Sequence, residues 1–309
     1  MKRFAIVIFF FIGLNFINTC KLSADQKTVL ILNTRKGVAK YDTVIQHFRQ
    51  NISYPIEEHS LLSPRISSKK LQSICSKKEF KLIYCVGSKA CKESFKYSKN
   101  KKIIFSSLIN WQRVLLPHKP DNIFGVSNEF NSEMMLTLFR LFVPDINDIG
   151  IIYSDKYNKE WIEELKSYAK KVKINIISQK ISHRNVFYQT MINLLKKIKV
   201  FWLISDPVVI NNQDHLFEIT YLCDKYNIPI FSYNSSFINH DVTLTISSDL
   251  PTIGRQAATI ANDLLSNNDI TYKIQYPAGS FISVNMSQVK KYNLILNNDA
   301  FGLINQIKE

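Results

Sequence analysis

Only 8 glycines occur in 309 residues, and that scarcity excludes whole classes of chemistry. A loop that cradles phosphates needs glycines, so that backbone N–H groups can approach the ligand closely. Neither G-x-G-x-x-G nor G-x-x-x-x-G-K-[ST] occurs, and the G-x-S-x-G turn that exposes a nucleophilic serine is missing too. Cysteine is equally sparse, and the spacing of Cys75, Cys85 and Cys91 matches no zinc pattern. The six histidines are scattered; His215 and Glu218 share a helix face without a third partner. Carboxylate pairs such as Glu57-Glu58 and Glu163-Glu164 read as solvated turn or helix positions. These absences predict a protein that is not an enzyme and that holds no metal and no cofactor.

Acidic residues are also outnumbered, 25 against 40 Lys and Arg, for a formal net charge of +15. Such a charge first suggests nucleic acid. The basic pairs, among them Lys69-Lys70, Lys101-Lys102, Lys170-Lys171 and Lys290-Lys291, are instead spread along the whole chain. No basic stripe interleaves with aromatics, so no nucleic-acid partner is expected; attraction to an anionic membrane surface is the blander use of the charge.

Beyond the N-terminus no run reaches 18 apolar residues, so nothing there is expected to span a membrane. At the N-terminus, Lys2 and Arg3 precede an apolar run from Phe4 to Leu14, the pattern of a secretory signal over residues 1–24. Two cleavage readings compete. Ile17-Asn18-Thr19-Cys20 resembles a lipobox, which would make Cys20 a lipidated N-terminus; the alternative is ordinary cleavage after Ala24. Either reading places the mature chain in the periplasm or on the outer face of the cell membrane. An exported protein can oxidise its thiols. One bridge among Cys75, Cys85 and Cys91 and a set of buried free thiols are both compatible with the spacing.

What the chain does contain is a regular alternation. Short apolar runs, TVLILN at 28–33, KLIYCV at 81–86, DIGIIY at 148–153 and VFWLIS at 200–205, alternate with amphipathic stretches of helical period. Runs with almost no polar alternation read as strands buried on both faces. Repeated strand–helix–strand units imply parallel sheets covered by helices. The pattern restarts near residues 127–131. The expected fold class is therefore α/β: two doubly wound parallel-sheet lobes, joined by a tight hinge and acting as a monomer.

In open α/β sheets a ligand binds at the carboxyl ends of the strands. The residues just after each strand are therefore the candidates. Gly87 and Ser88 follow a strong strand and open a helix, where N–H groups and the Ser88 hydroxyl could bind an acid group; a plain turn with Ser88 as cap is the alternative. Asn33 and Thr34 follow the first strand, and Ser106 ends the fourth. In the second lobe Tyr153 and Asp206 end strands. Asp206 suits an ammonium or hydroxyl group, with helix capping as its rival role. Tyr233 could stack on a ligand, and Asp249 is either a contact or the cap of the helix that begins near Pro251.

These residues also carry a pattern in their order: Val86-Gly87-Ser88 with Ala90, Phe124-Gly125-Val126-Ser127, Val143-Pro144, Ile149-Gly150-Ile151-Ile152-Tyr153, Leu203-Ile204-Ser205-Asp206, Ile228-Pro229-Ile230-Phe231 and Gly254-Arg255-Gln256-Ala257-Ala258. The order resembles the ABC-transporter substrate-binding family that includes tryptophan- and tyrosine-uptake proteins, and it covers nearly all of the mature chain. The resemblance implies the type I periplasmic-binding-protein fold, with a hinge of about three crossover strands. It implies a first lobe of residues 27–127 plus 240–278 and a second of 128–239 plus 279–309. It further implies small-molecule capture by hinge closure and delivery to an ABC permease. Gly87-Ser88 would bind a carboxylate and Asp206 an amino group. This chain departs from the family's pattern at Asp241-Val242-Thr243-Leu244 and at Asn234-Ser235. A ligand-sensing accessory module is the alternative function, since it needs the same closing cleft.

Overall fold

A computed structural model describes residues 27–62, 64–98, 100–115 and 121–309. The signal segment and Cys20 lie outside the described residues. The chain begins with β1 (Thr28–Asn33), α1 (Ala39–Asn51), β2 (Ile56–Ser60), α2 (Ser68–Ser76), β3 (Phe80–Val86), α3 (Ser88–Tyr97), β4 (Lys102–Ser106), α4 (Trp111–Leu115) and β5 (Ile123–Val126). It then crosses to α5 (Ser132–Phe142), β6 (Asp148–Tyr153), α6 (Asp155–Lys171), β7 (Asn175–Lys180), α7 (Phe187–Leu195), β8 (Val200–Leu203), α8 (Gln213–Lys225), β9 (Ile230–Ser232) and β10 (Leu244–Ser248). It returns for α9 (Leu250–Ser266) and β11 (Ile274–Gln275), and ends with β12 (Ser280–Asn285), α10 (Met286–Lys291) and β13 (Gln306–Lys308).

Two sheets result. The first has the order β11-β5-β4-β3-β1-β2, and all its pairings are parallel. The second has the order β13-β12-β10-β9-β8-β6-β7. Its strands run parallel except where β12 meets β10. That exception follows from the path. β10 ends at the boundary between lobes, and the chain comes back through the same boundary, so β12 must start where β10 stops.

The strands are buried on both faces, as their sequences require. Val29 and Ile31 of β1 join one core cluster with Val44, Phe48 and Tyr84, while Leu30 and Leu32 join another with Leu71, Cys75 and Ile83. The second lobe repeats this with Trp202 and Phe139 on one face and Phe201 and Leu203 on the other. The Phe139 and Trp202 rings meet edge to face at 4.8 Å. Asparagine and serine start the helices: Asn131 accepts a hydrogen bond from the Met134 N–H at 2.7 Å, and Ser67 from Lys70 at 3.3 Å. Cys75, Cys85, Cys91 and Cys223 are buried free thiols, so the bridge does not form.

One expected boundary shifts. The return to the first lobe was expected at residue 240, yet Leu244 and Thr245 pair with Phe231 and Ser232 of β9, and β12 covers the other edge of β10. Residues through Ser248 therefore complete the second sheet, and the return begins at Asp249. From there α9 lays Ile253, Ala257, Ala258 and Ala261 onto the first-lobe core. Its Gly254 lies against α1 so closely that a Cβ there would sit 2.4 Å from the Val44 carbonyl oxygen.

The lobes are joined by three crossovers that bond to one another. Ser127 N–H reaches the Gln275 carbonyl at 2.8 Å, Asp249 N–H reaches Gly279 at 2.9 Å, and the Ser248 hydroxyl reaches the Asn128 carbonyl at 3.1 Å.

Candidate functional site

The strand tips of the two sheets face each other across a cleft of about 600 Å³. On the first-lobe side the turn after β3 is set by Gly87. Its φ of +87° lies in the left-handed region, and a Cβ there would sit 2.7 Å from Thr34 Oγ1. Gly87 N–H donates to the Ser106 carbonyl at 3.0 Å. Gly87, not Ser88, is the N-cap of α3, and it supplies no side-chain cap. The expectation that Ser88 caps is thus corrected: Ser88 is the first helical residue, on the cleft wall. Thr34 Oγ1 accepts the Ala90 N–H at 3.1 Å. Asn33 is buried, bonding Glu58 at 3.2 Å and the Arg35 N–H at 3.0 Å. The Ser106 hydroxyl pairs with Tyr84 at 2.7 Å. Asn33, Thr34, Gly87 and Ser106 therefore build the bed under Ser88 and are absent from the cleft lining.

On the second-lobe side Asp206 is fully buried and surrounded by hydrogen-bond donors. Its carboxylate accepts from Ser154 N–H at 2.7 Å, the Ser154 hydroxyl at 2.9 Å, Asn158 Nδ2 at 2.7 Å and Val208 N–H at 2.9 Å. A carboxylate has about four lone-pair sites, and these donors fill them. Asp206 lines the cleft, but its oxygens are used to tie the start of α6 to the turn after β8. The rest of the wall mixes apolar Ile210, Leu216 and Phe237 with polar Ser205, Asn211, Asn212, Gln213 and His240.

The other expected contacts fall elsewhere. Tyr153 packs against the second-lobe core. Asp249 caps α9, accepting from Thr252 N–H at 3.0 Å, with the Arg255 guanidinium 3.7 Å away. Tyr233 lies behind the cleft, not in it: its hydroxyl accepts the Ser205 N–H at 2.7 Å and stands near the Glu129 carboxyl. The Glu129 carboxyl also accepts the Asn110 N–H at 2.7 Å. Burial pushes its pKa up to about 7.

Most of the lining was missed by sequence reasoning, including Asn110, Arg113, Tyr157, Asn158, Leu216 and Phe237. Asn110 (φ +49°) and Arg113 project from the loop and short helix after β4. Asn110 Nδ2 donates to the Tyr157 carbonyl of the opposite lobe, and the Arg113 guanidinium stands 4.5 Å over the Tyr157 ring. Asn158 lies one turn beyond Ser154. The only sequence signal for the first two was their place after a strand tip. Among the described residues no group of three His, Cys, Asp or Glu converges as a metal site, and no helix is long and apolar enough to cross a membrane.

Comparison with known proteins agrees with this architecture. A ligand-free, open substrate-binding protein with adhesive properties from Clostridium difficile has the same fold. Its TM-score is 0.71 at 18% identity, covering 91% of this chain and 99% of that one. An ABC domain from Streptococcus pneumonia in complex with L-Trp gives 0.62 at 13% identity, covering 92% and 100%. At such identities the likeness establishes the fold alone. A tyrosine-binding protein of Clostridioides difficile is 23% identical over 208 residues, 64% of this chain. The match spans only 59% of that relative's length. The model of the ABC transporter substrate binding protein family matches residues 58–303. Two parallel-cored lobes, a shared cleft and a match over most of its length show that this chain belongs to the ABC transporter substrate-binding protein family.

Proposed function

We propose that this protein is the extracytoplasmic solute-binding component of an ABC-type importer, a monomer that captures a small amino-acid-like solute between its lobes and presents it to a permease. The observation that carries this reading is the cleft itself, lined by Ser88, Asn110 and Arg113 of one lobe and by Tyr157, Asp206 and Leu216 of the other. Each part suits a zwitterion with an apolar side chain. The start of α3 and Arg113 favour a carboxylate. The buried negative charge of Asp206 favours an ammonium group nearby, and Ile210, Leu216 and Phe237 offer apolar surface to the side chain. Closure would follow from tighter binding of the solute to the closed arrangement than to the open one.

The test is thermal unfolding with L-tyrosine and L-tryptophan. A solute at a hundred times its dissociation constant stabilises the fold by about 2.7 kcal/mol, an easily read rise in Tm. Tyramine, which lacks the carboxylate, and 3-(4-hydroxyphenyl)propionate, which lacks the ammonium group, should leave Tm unchanged. Equal shifts from all four compounds would remove the zwitterion assignment. No shift from these or any other amino acid would remove the amino-acid reading.

We also propose that Cys20 carries a lipid anchor. Its support is the charged start, the apolar run and the cysteine that follows. Metabolic labelling with palmitate should mark the wild-type protein and not the Cys20→Ala variant. A mature N-terminus at Asp25 would show ordinary cleavage instead.

A further inference from the structure

Glu129 is a carboxyl group that meets residues of both lobes without serving a helix cap. It sits on the first crossover, between Ser127 and Phe130. Its carboxyl receives the Asn110 N–H from the first lobe and stands near the Tyr233 hydroxyl of the second. Asn110 has every polar side-chain atom engaged: Oδ1 accepts the Arg113 N–H at 3.3 Å, and Nδ2 reaches the Tyr157 carbonyl across the cleft. Its positive φ, with that of Ser107 (+57°), shows a loop held in a costly shape at both ends. Tyr233 is itself held by the Ser205 N–H, next to Asp206.

We propose that Glu129 is a positioning residue for closure: it clamps the 107–110 loop to Tyr233 behind the cleft and so sets Asn110 to latch Tyr157 in front. This rests on the reading of the protein as one whose lobes open and close. The groups that face Glu129 are Tyr233, Tyr276 and, from α6, Glu164. Asp206 acts on it only through Tyr233. Among the described residues no cation pairs with it. Burial without a counter-charge disfavours the ionised form, which is why its pKa rises to about 7. Opening solvates the carboxyl and returns it toward its ordinary value of 4.5. The closed form therefore binds more protons than the open form. By linkage, closure is favoured fully below the ordinary value and is lost as pH rises through about 7.

Small-angle scattering of the solute-free protein measures the lobe separation directly. The wild-type radius of gyration should increase between pH 5.5 and pH 8.5. Glu129→Gln, which keeps shape and an acceptor but cannot ionise, should stay compact at both. Glu129→Ala, which loses the acceptor for Asn110 and the contact with Tyr233, should be expanded at both while its thermal unfolding remains cooperative. A wild type with no pH response, a Gln variant that tracks the wild type, or an Ala variant as compact as the Gln variant would each overturn the proposal. Because no solute is added, failure of L-tyrosine to bind would remove the solute assignment and leave this result standing.

Discussion

Asp206→Ala is expected to lower the unfolding free energy by about 3–5 kcal/mol, the loss expected when several buried donors share one charged acceptor that is removed. The wild-type carboxylate is fully buried and satisfies Ser154 through both its N–H and its hydroxyl, together with Asn158 and Val208. Alanine leaves those donors without an acceptor. Each orphaned buried group costs about 1–3 kcal/mol, and rotation of the Ser154 hydroxyl or an admitted water reduces the total. Asp206→Asn should cost less, about 2 kcal/mol, because one acceptor oxygen remains while the amide opposes the other donors. Urea denaturation with linear extrapolation reads both values. The stability loss in the Ala variant should come with loss of solute binding, since Asn158, Asp206 and Pro207 line the second-lobe wall and Asp206 ties Asn158 and the following turn in place. An Ala variant within 1 kcal/mol of wild type would show that the carboxylate is not the organiser of that wall.

The second large effect is expected at Gly254. Replacing a helical glycine with alanine ordinarily gains about 1 kcal/mol. Here the added methyl would stand 2.4 Å from the Val44 carbonyl oxygen and 2.9 Å from the His47 Cβ. The nearest obstacle is backbone, so the helices must separate, and α9 and α1 lose contact along their shared seam. The separation outweighs the propensity gain. Gly254→Ala should destabilise, and Gly254→Val should cost about 3 kcal/mol or more, the upper range for overpacking. Gly302 has nothing within 4 Å of its virtual Cβ, so Gly302→Ala should stay within about 0.5 kcal/mol. Thermal unfolding of the three variants orders them. An unchanged Tm for Gly254→Val would mean the seam between α1 and α9 is looser than described.

Much of this architecture was legible in the chain because parallel strands are buried on both faces and leave continuous apolar runs. Residues 28–33 and 148–153 stand where those runs predicted strands, and a helix opens directly after Gly87 as expected. The short pieces were not legible. α4 has five residues and β11 two, too few for any periodicity to show. The residues of β10 were assigned to the wrong lobe, because its partners β9 and β12 are known only once the path between lobes is known. The candidate contacts divided for a related reason. A polar side chain after a strand serves a ligand or a cap with the same atoms, and local sequence does not distinguish them. Asp249 went to a cap and Asp206 to a buried polar cluster, while Ser88, read as a ligand contact with capping as its alternative, is the first helical residue and lies on the cleft wall. The Asn110–Tyr157 and Asn110–Glu129 contacts join residues 47 and 19 positions apart. They exist only because two lobes meet.

The late return of α9 also orders events in time. The apolar flank formed by Val44, Ile45 and Phe48 finds its cover in Ile253, Ala257 and Ala261, residues made more than two hundred positions later. During synthesis and export the opening half of the polypeptide must travel with that flank bare, while the intervening half already owns most of its sheet. A chain stopped before α9 leaves its earliest part as the sticky one.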